Sequence, residues 1–300
     1  MLVYGFDKAF PLQMPFPGLV ALNEPFGNMS PMGILWSSVG ASPPYEIAAG
    51  CLEILGGLLL FFPPTVTLGA LVCFADMSYV FLLNMTYDVP VKLFSFHLIL
   101  LALILLAPQF RRLADFFLFN GATEPASAAP LFGSRRANRI VVAVQALFAL
   151  WLIAMNLWGV RRDWKQYGPG APQPALYGIW NVEQFNVNGQ PRPPLLTDIS
   201  RWRRVIFERF DFAAIQQMND AQTFYNVAVD TNKKTIALTG RRGSTQKIAL
   251  AFSRPAADQL VLDGAVDGHP THIQLRLEDR SHYLLVSRGF HWIQEYPFNR

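Results

Sequence analysis

The sequence predicts a membrane α-helical bundle of four transmembrane helices followed by an all-β domain, an antiparallel barrel or sandwich. Three observations carry this. Hydrophobic residues make up 52% of the chain against 15% charged, too apolar a balance for an average soluble enzyme. The long apolar runs are confined to residues 46–160. Residues 173–300 instead show short stretches of alternating apolar and polar residues with charges throughout, which is the period of strands.

Residues 1–45 are rich in Pro and Gly, and none of their apolar runs approaches the roughly 20 residues that span a bilayer. They are expected to form an interfacial, extracytoplasmic segment with Trp36 as a headgroup-level anchor. The bundle is expected over 46–163, with helices at 46–62, 65–87, 91–107 and 140–160, punctuated by Pro63-Pro64 and Pro108. Lipid offers the backbone no hydrogen bonds, so runs of this length are helical. Arg111, Arg112, Arg135, Arg136 and Arg139 mark the connection before the last helix as cytoplasmic. Counting helices from there puts residues 1–45, the turn at 87–92 and the C-terminal domain outside, although Arg161, Arg162 and Lys165 pull the other way.

A linker at 164–176, containing Tyr167-Gly-Pro-Gly-Ala-Pro-Gln-Pro, is expected to keep the two halves mechanically separate. The β-domain then occupies 177–300, with strands predicted at 177–187, 204–210, 213–218, 223–229, 235–239, 247–252, 259–262, 271–277 and 283–293. Val187-Asn-Gly, Asp230-Thr-Asn-Lys and Asp263-Gly supply the turns. Close, regular strand spacing of this kind favours a barrel or sandwich.

The net charge of +4 comes with arginines gathered at the ends of apolar runs, where they report membrane orientation rather than nucleic-acid binding. Cys51 and Cys73 sit inside apolar runs and form no disulfide framework. Met1-Leu-Val-Tyr-Gly-Phe-Asp-Lys lacks the basic start and apolar core of a signal peptide. Neither a nucleophile elbow, a phosphate loop nor a zinc-ligand spacing is present. The question of enzymatic activity stays open, and no metal is expected.

Two polar layers stand out within the apolar half. A rise of ~1.5 Å per residue puts Cys51 and Glu53, then Cys73 and Asp76, about 12 to 17 Å beyond the Pro63-Pro64 turn, near the bilayer midplane. Burial disfavours ionised carboxyls, so Glu53 and Asp76 read either as a proton or redox site or as hydrogen-bonding glue between helices. The second layer surrounds the turn of residues 84–97, Asn-Met-Thr-Tyr-Asp-Val-Pro-Val-Lys-Leu-Phe-Ser-Phe-His. Asn84, Tyr87, Asp88, Lys92 and His97 are expected to line an outward-opening cup for an anion or a quinone headgroup. The plainer reading makes Asp88 and Lys92 a turn salt bridge and His97 a satisfied ring.

In the β-half, Trp180 and Arg288 are candidates for a capped barrel end, and His291 shares strand parity with Glu295. His269 and His272, at i and i+3, do not share one strand face.

Glu53-Ile-Leu-Gly-Gly-Leu-Leu-Leu, Thr67-Leu-Gly-Ala-Leu, the 84–97 stretch, and Leu106-Ala-Pro followed by Arg111-Arg112 together resemble the DoxX-like family of bacterial integral membrane proteins over residues 1–118. The resemblance implies a four-helix bundle in the bacterial inner membrane, and a family named after a subunit associated with a thiosulfate:quinone oxidoreductase. It leads to the expectation of a complete helix ahead of Tyr4-Gly-Phe-Asp-Lys8, so either the start is truncated or the 140–160 helix takes over some of its packing. A basic pair is also expected where Pro63-Pro64 stand. Gly178-Ile-Trp180 is similar to the Gly-x-Trp signature of lipocalin-type barrels, in which Arg288 on a late strand would cover the Trp. The expected role is an accessory component of a membrane redox or envelope process, with a quinone as one ligand and the bilayer, membrane proteins or further copies as partners. Alternatives are an apolar-ligand-binding barrel on a membrane anchor and a proton-coupled transporter of small solutes.

Overall fold

The computed structural model describes residues 1–123, 132–241 and 246–298. It divides into two units, and the division does not follow chain order. Residues 1–16 and 30–171 form a helical unit, whereas residues 17–29 belong with 172–300 in a β-unit. The chain therefore passes between the units at three places, and the expected single linker at 164–176 is one of them.

The helical unit consists of α1 (Leu2–Ala9), α2 (Pro31–Gly40), α3 (Pro43–Leu59), α4 (Val66–Thr86), α5 (Lys92–Leu106), α6 (Phe110–Phe117) and α7 (Arg135–Gln166). The four predicted helices match α3, α4, α5 and α7. Three stretches are long and apolar enough to cross a membrane: Pro63–Thr86, Lys92–Phe117 and Arg135–Gln166. Leu82, Leu101, Ile104, Leu147 and Trp158 on these helices are exposed at the surface of the protein. Small residues set the tightest helix contact. A Cβ on Gly50 would lie 2.5 Å from Ala9 N and Gly5 O, so α1 and α3 touch backbone to backbone, as small-residue interfaces in membranes do.

The β-unit holds β1 (Gly178–Val187), β2 (Gln190–Pro191), β3 (Trp202–Phe207), β4 (Phe212–Gln217), β5 (Gln222–Asp230), β6 (Thr235–Gly240), β7 (Lys247–Ser253), β8 (Gln259–Val266) and β9 (His269–Leu277). Every neighbouring pair is antiparallel, and β9 pairs back onto β1, with Trp180 opposite Leu277. The result is a closed eight-stranded barrel, with β2 a short spur on β1. Closure removes the free edges that a sheet would otherwise expose. Ile236, Leu238, Ile248, Leu250, Leu260 and Leu262 alternate inward and fill it together with Trp180, Phe185, Trp202 and Phe207.

Two sequence expectations change here. The 283–293 stretch is no strand: its described part contains a short helix α8 (Leu284–Ser287) followed by irregular chain. Asp263-Gly264 is not a turn but lies inside β8, where a Cβ on Gly264 would stand 2.6 Å from Ala249 O of β7. The turn falls instead at Asp267-Gly268, whose φ values of 51° and 81° suit a tight hairpin.

The outer face of β1, β3 and β4 is also buried. Leu19 packs there against Ile179, Ile206 and Ala214. Asn23 accepts the Tyr283 hydroxyl at 2.8 Å on Oδ1, while its backbone carbonyl accepts Gln216 Nε2 at 3.1 Å. Residues 17–29 thus strap the barrel wall, in contrast to the interfacial role expected for 1–45.

Candidate functional site

α1 and α3 run antiparallel, with Gly57 against Met1 and Leu2 and Gly50 against Lys8 and Ala9, and their close backbone approach brings the Lys8 side chain across to Glu53. Lys8 Nζ forms an ion pair with Glu53 Oε1, and both side chains are buried, with Lys8 at 8% and Glu53 at 1% exposure. Two further acids are buried in the same unit. Glu46 accepts the Met14 N–H at 2.9 Å, and Asp76 lies on α4. One oxygen on each acid, Glu46 Oε2, Glu53 Oε2 and Asp76 Oδ2, has no hydrogen-bonding partner among the described residues, and neither does Gln13 Oε1. A buried polar atom left unmatched is rare enough in folded proteins to need an explanation.

Glu53, Asp76, Lys8 and Gln13 line one cavity of about 260 Å³ in the helical unit. Its other walls are apolar and aromatic: Tyr4, Trp36 and Phe94 contribute rings, and Met1, Met14, Met32 and Met77 contribute thioethers. The Trp36 indole donates to Gln13 O at 3.1 Å, which seats the ring against the cavity wall. The Tyr45 and Tyr79 hydroxyls lie 3.3 Å apart. Methionines adapt their shape to what they pack against.

The expected cup around 84–97 is only partly assembled. Asn84 does line the cavity, and its Nδ2 donates to Ser95 Oγ at 3.0 Å. Tyr87 packs on a small cluster built from Met14, Leu35, Val39 and Val89. Lys92 and Asp88 form a salt bridge of 2.9 Å at the turn, with the Asp88 carboxylate exposed. The Lys92 ammonium holds the Asp88 carboxyl below its ordinary range. His97 Nδ1 lies 2.6 Å from Leu93 O on its own helix. Lys92 and His97 are five residues apart, roughly 140° around a helix, so one face cannot present both. Neither lines the cavity that Asn84 reaches. The residue missing from the sequence-based set is Lys8. Its signal was a lone lysine in the short apolar stretch of residues 2–10, a cation able to answer the buried Glu53.

In the barrel, Trp180 is fully buried and its indole donates to Leu176 O at 2.9 Å. The arginine lying over it is Arg254, at 5.6 Å from the ring centroid. Arg288 instead follows α8 and stacks on Phe298 at 4.0 Å. His291 is exposed in irregular chain, with Nδ1 3.4 Å from Gly289 O, so the strand parity assumed for it with Glu295 does not arise. His272 pairs with Asp263 at 2.6 Å on the barrel exterior.

Fold and site together define a protein with apolar helices, a largely apolar cavity between them that bears buried carboxylates, and an eight-stranded antiparallel barrel. Over 84 residues the chain is 34% identical to "Uncharacterized protein YwoB" of Bacillus subtilis (strain 168), a match covering 28% of this chain and 54% of that protein. The chain thus spans about half the length of the curated relative it matches. No protein-family model matches the chain. No solved structure matches it either.

Proposed function

We propose that this chain is a DoxX-like multi-pass protein of the bacterial inner membrane, and that its helical unit binds a small amphiphilic molecule within the bilayer. It serves a membrane redox or envelope process as an accessory component, with a quinone among the ligands to test. The single observation that carries this reading is the cavity of about 260 Å³, apolar on most sides and bearing unpartnered carboxylate oxygens of Glu53 and Asp76. Charged groups at membrane depth are costly and face the interior of a bundle when they have a use there. The 17 residues of α3 supply a fourth crossing beside α4, α5 and α7. The arginines at 111, 112, 135, 136 and 139 then face the cytoplasm, and the barrel stands outside.

The barrel interior is filled by a continuous apolar core, which favours a structural or docking role for it over capture of an apolar ligand inside. The test uses the full-length chain in lipid nanodiscs, titrated with a short-chain quinone and with aryl-alkyl probes while fluorescence is followed. Trp36→Phe identifies the cavity signal. Val80 on α4 also lines the cavity, and saturable binding that is lost in Val80→Phe, where the larger ring occupies cavity space, supports the reading. Linear, non-saturable partitioning that Val80→Phe leaves unchanged would rule it out.

A further inference from the structure

We propose that the ligand of this cavity carries a protonated amine as its polar head. The proposal rests on the cavity being a binding site, as above, and adds the chemistry of its occupant. The unmatched polar atoms that line it are Glu53 Oε2, Asp76 Oδ2 and Gln13 Oε1. All three accept hydrogen bonds when the acids are ionised. The one basic side chain in the lining, Lys8, is already engaged by Glu53. A second carboxylate, Asp76, is 9% exposed and keeps an oxygen with no hydrogen-bond donor among the described residues, while Lys8 and the Met1 amino group act on it only through space.

A quinone or ketone head brings only acceptors, so it leaves these oxygens as they are. An anionic head adds like charge in a poorly solvated site. An ammonium head supplies the missing N–H donors and carries its charge directly to the unmatched oxygens, and charge-assisted hydrogen bonds of this kind are the stronger ones. Tyr4, Trp36 and Phe94 contribute rings to the same lining, and aromatic faces attract cations. Around 260 Å³ is room for a single ring with a short alkyl amine.

The experiment compares phenylbutylamine, phenylbutanol and phenylbutanone on the full-length chain in nanodiscs of neutral lipid, which keeps lipid charge from favouring the amine. The amine is expected to bind about tenfold more tightly than either neutral probe, a gap of the size one charge-assisted contact supplies. In Asp76→Asn that preference should fall to about threefold or less. Equal or tighter binding of the ketone overturns the proposal and leaves the binding reading standing. An amine preference that survives Asp76→Asn unchanged overturns the role given to that carboxylate. If none of the three probes binds saturably, this proposal and the cavity's role as a binding site fall together. The three-way comparison is made on the unmutated chain, so it stands whether or not the variant folds.

Discussion

The two units treat their buried polar groups in opposite ways. In the β-unit Gln216, 1% exposed, gives Nε2 to Asn23 O and Asp220 Oδ1 and accepts Arg204 on Oε1. Buried Arg201 donates from Nε to Arg192 O at 3.0 Å and from its guanidinium to Trp202 O at 3.1 Å. Gln222 Oε1 is an unmatched atom in that unit. In the helical unit, by contrast, each of three buried acids keeps an unmatched oxygen. A satisfied network specifies a fold, whereas an unsatisfied one stores affinity for something else. The barrel therefore behaves as framework and the helices as the place where a ligand has something to gain.

Substitutions can break or sharpen this contrast. The largest effect is expected from Lys8→Ala, which strands Glu53 as an uncompensated buried charge and should cost about 3–5 kcal/mol. Chemical unfolding in mixed micelles would measure it, and Lys8→Met combined with Glu53→Leu should recover most of the loss. Next comes Gln216→Leu, which leaves Asn23 O and Arg204 short of a partner and should cost about 1–3 kcal/mol in the same measurement. Asp76→Asn should have the opposite sign. Removing a buried carboxylate with an unmatched oxygen is expected to stabilise the helical unit by on the order of 1 kcal/mol, and a lower unfolding midpoint would show that attraction to Lys8 and the Met1 amino group outweighs the cost of burying it.

The smallest effect belongs to Asp88→Asn, whose carboxylate is exposed beside a partly covered Lys92, and only a slight fall in unfolding midpoint is expected at neutral pH. The sign of its pH dependence follows from the depressed carboxyl. The pair is fully formed above the ordinary aspartate value of 3.8 and is lost as pH falls through the lower folded value. Wild type and Asp88→Asn should therefore differ least in the most acidic solutions.

Much of the barrel was legible because its strands obey a period of two. The β6 and β7 segments alternate buried and exposed residues as their sequences suggest. The reading failed where tertiary context overrode that pattern. Residues 283–293 look strand-like, yet β9 already pairs with both β8 and β1, so no edge is left to receive another strand. Ala213, Ala214, Ile215 and Gln216 are buried on both faces because the 17–29 strap covers the outer one. No local pattern could reveal this, since Leu19 and Val20 read equally well as membrane-surface residues. Glu53, Asp76 and Asn84 were found from their polarity inside apolar runs, and all three line the cavity. Lys92 and His97 were drawn in by closeness in sequence, which a helix does not convert into a shared face.

The strap has a consequence for how the molecule would come apart. Cleavage between Gly168 and Pro172 cuts the chain but does not free the barrel, because residues 17–29 remain attached to the N-terminal fragment and buried against the barrel wall through Leu19 and Asn23. Such a nicked protein would migrate as two bands in denaturing gels and as one species in native ones. Release would require further cuts at both ends of the strap, because residues 17–29 join the helical unit on either side, so this protein holds its barrel by a non-covalent latch as well as by a peptide bond.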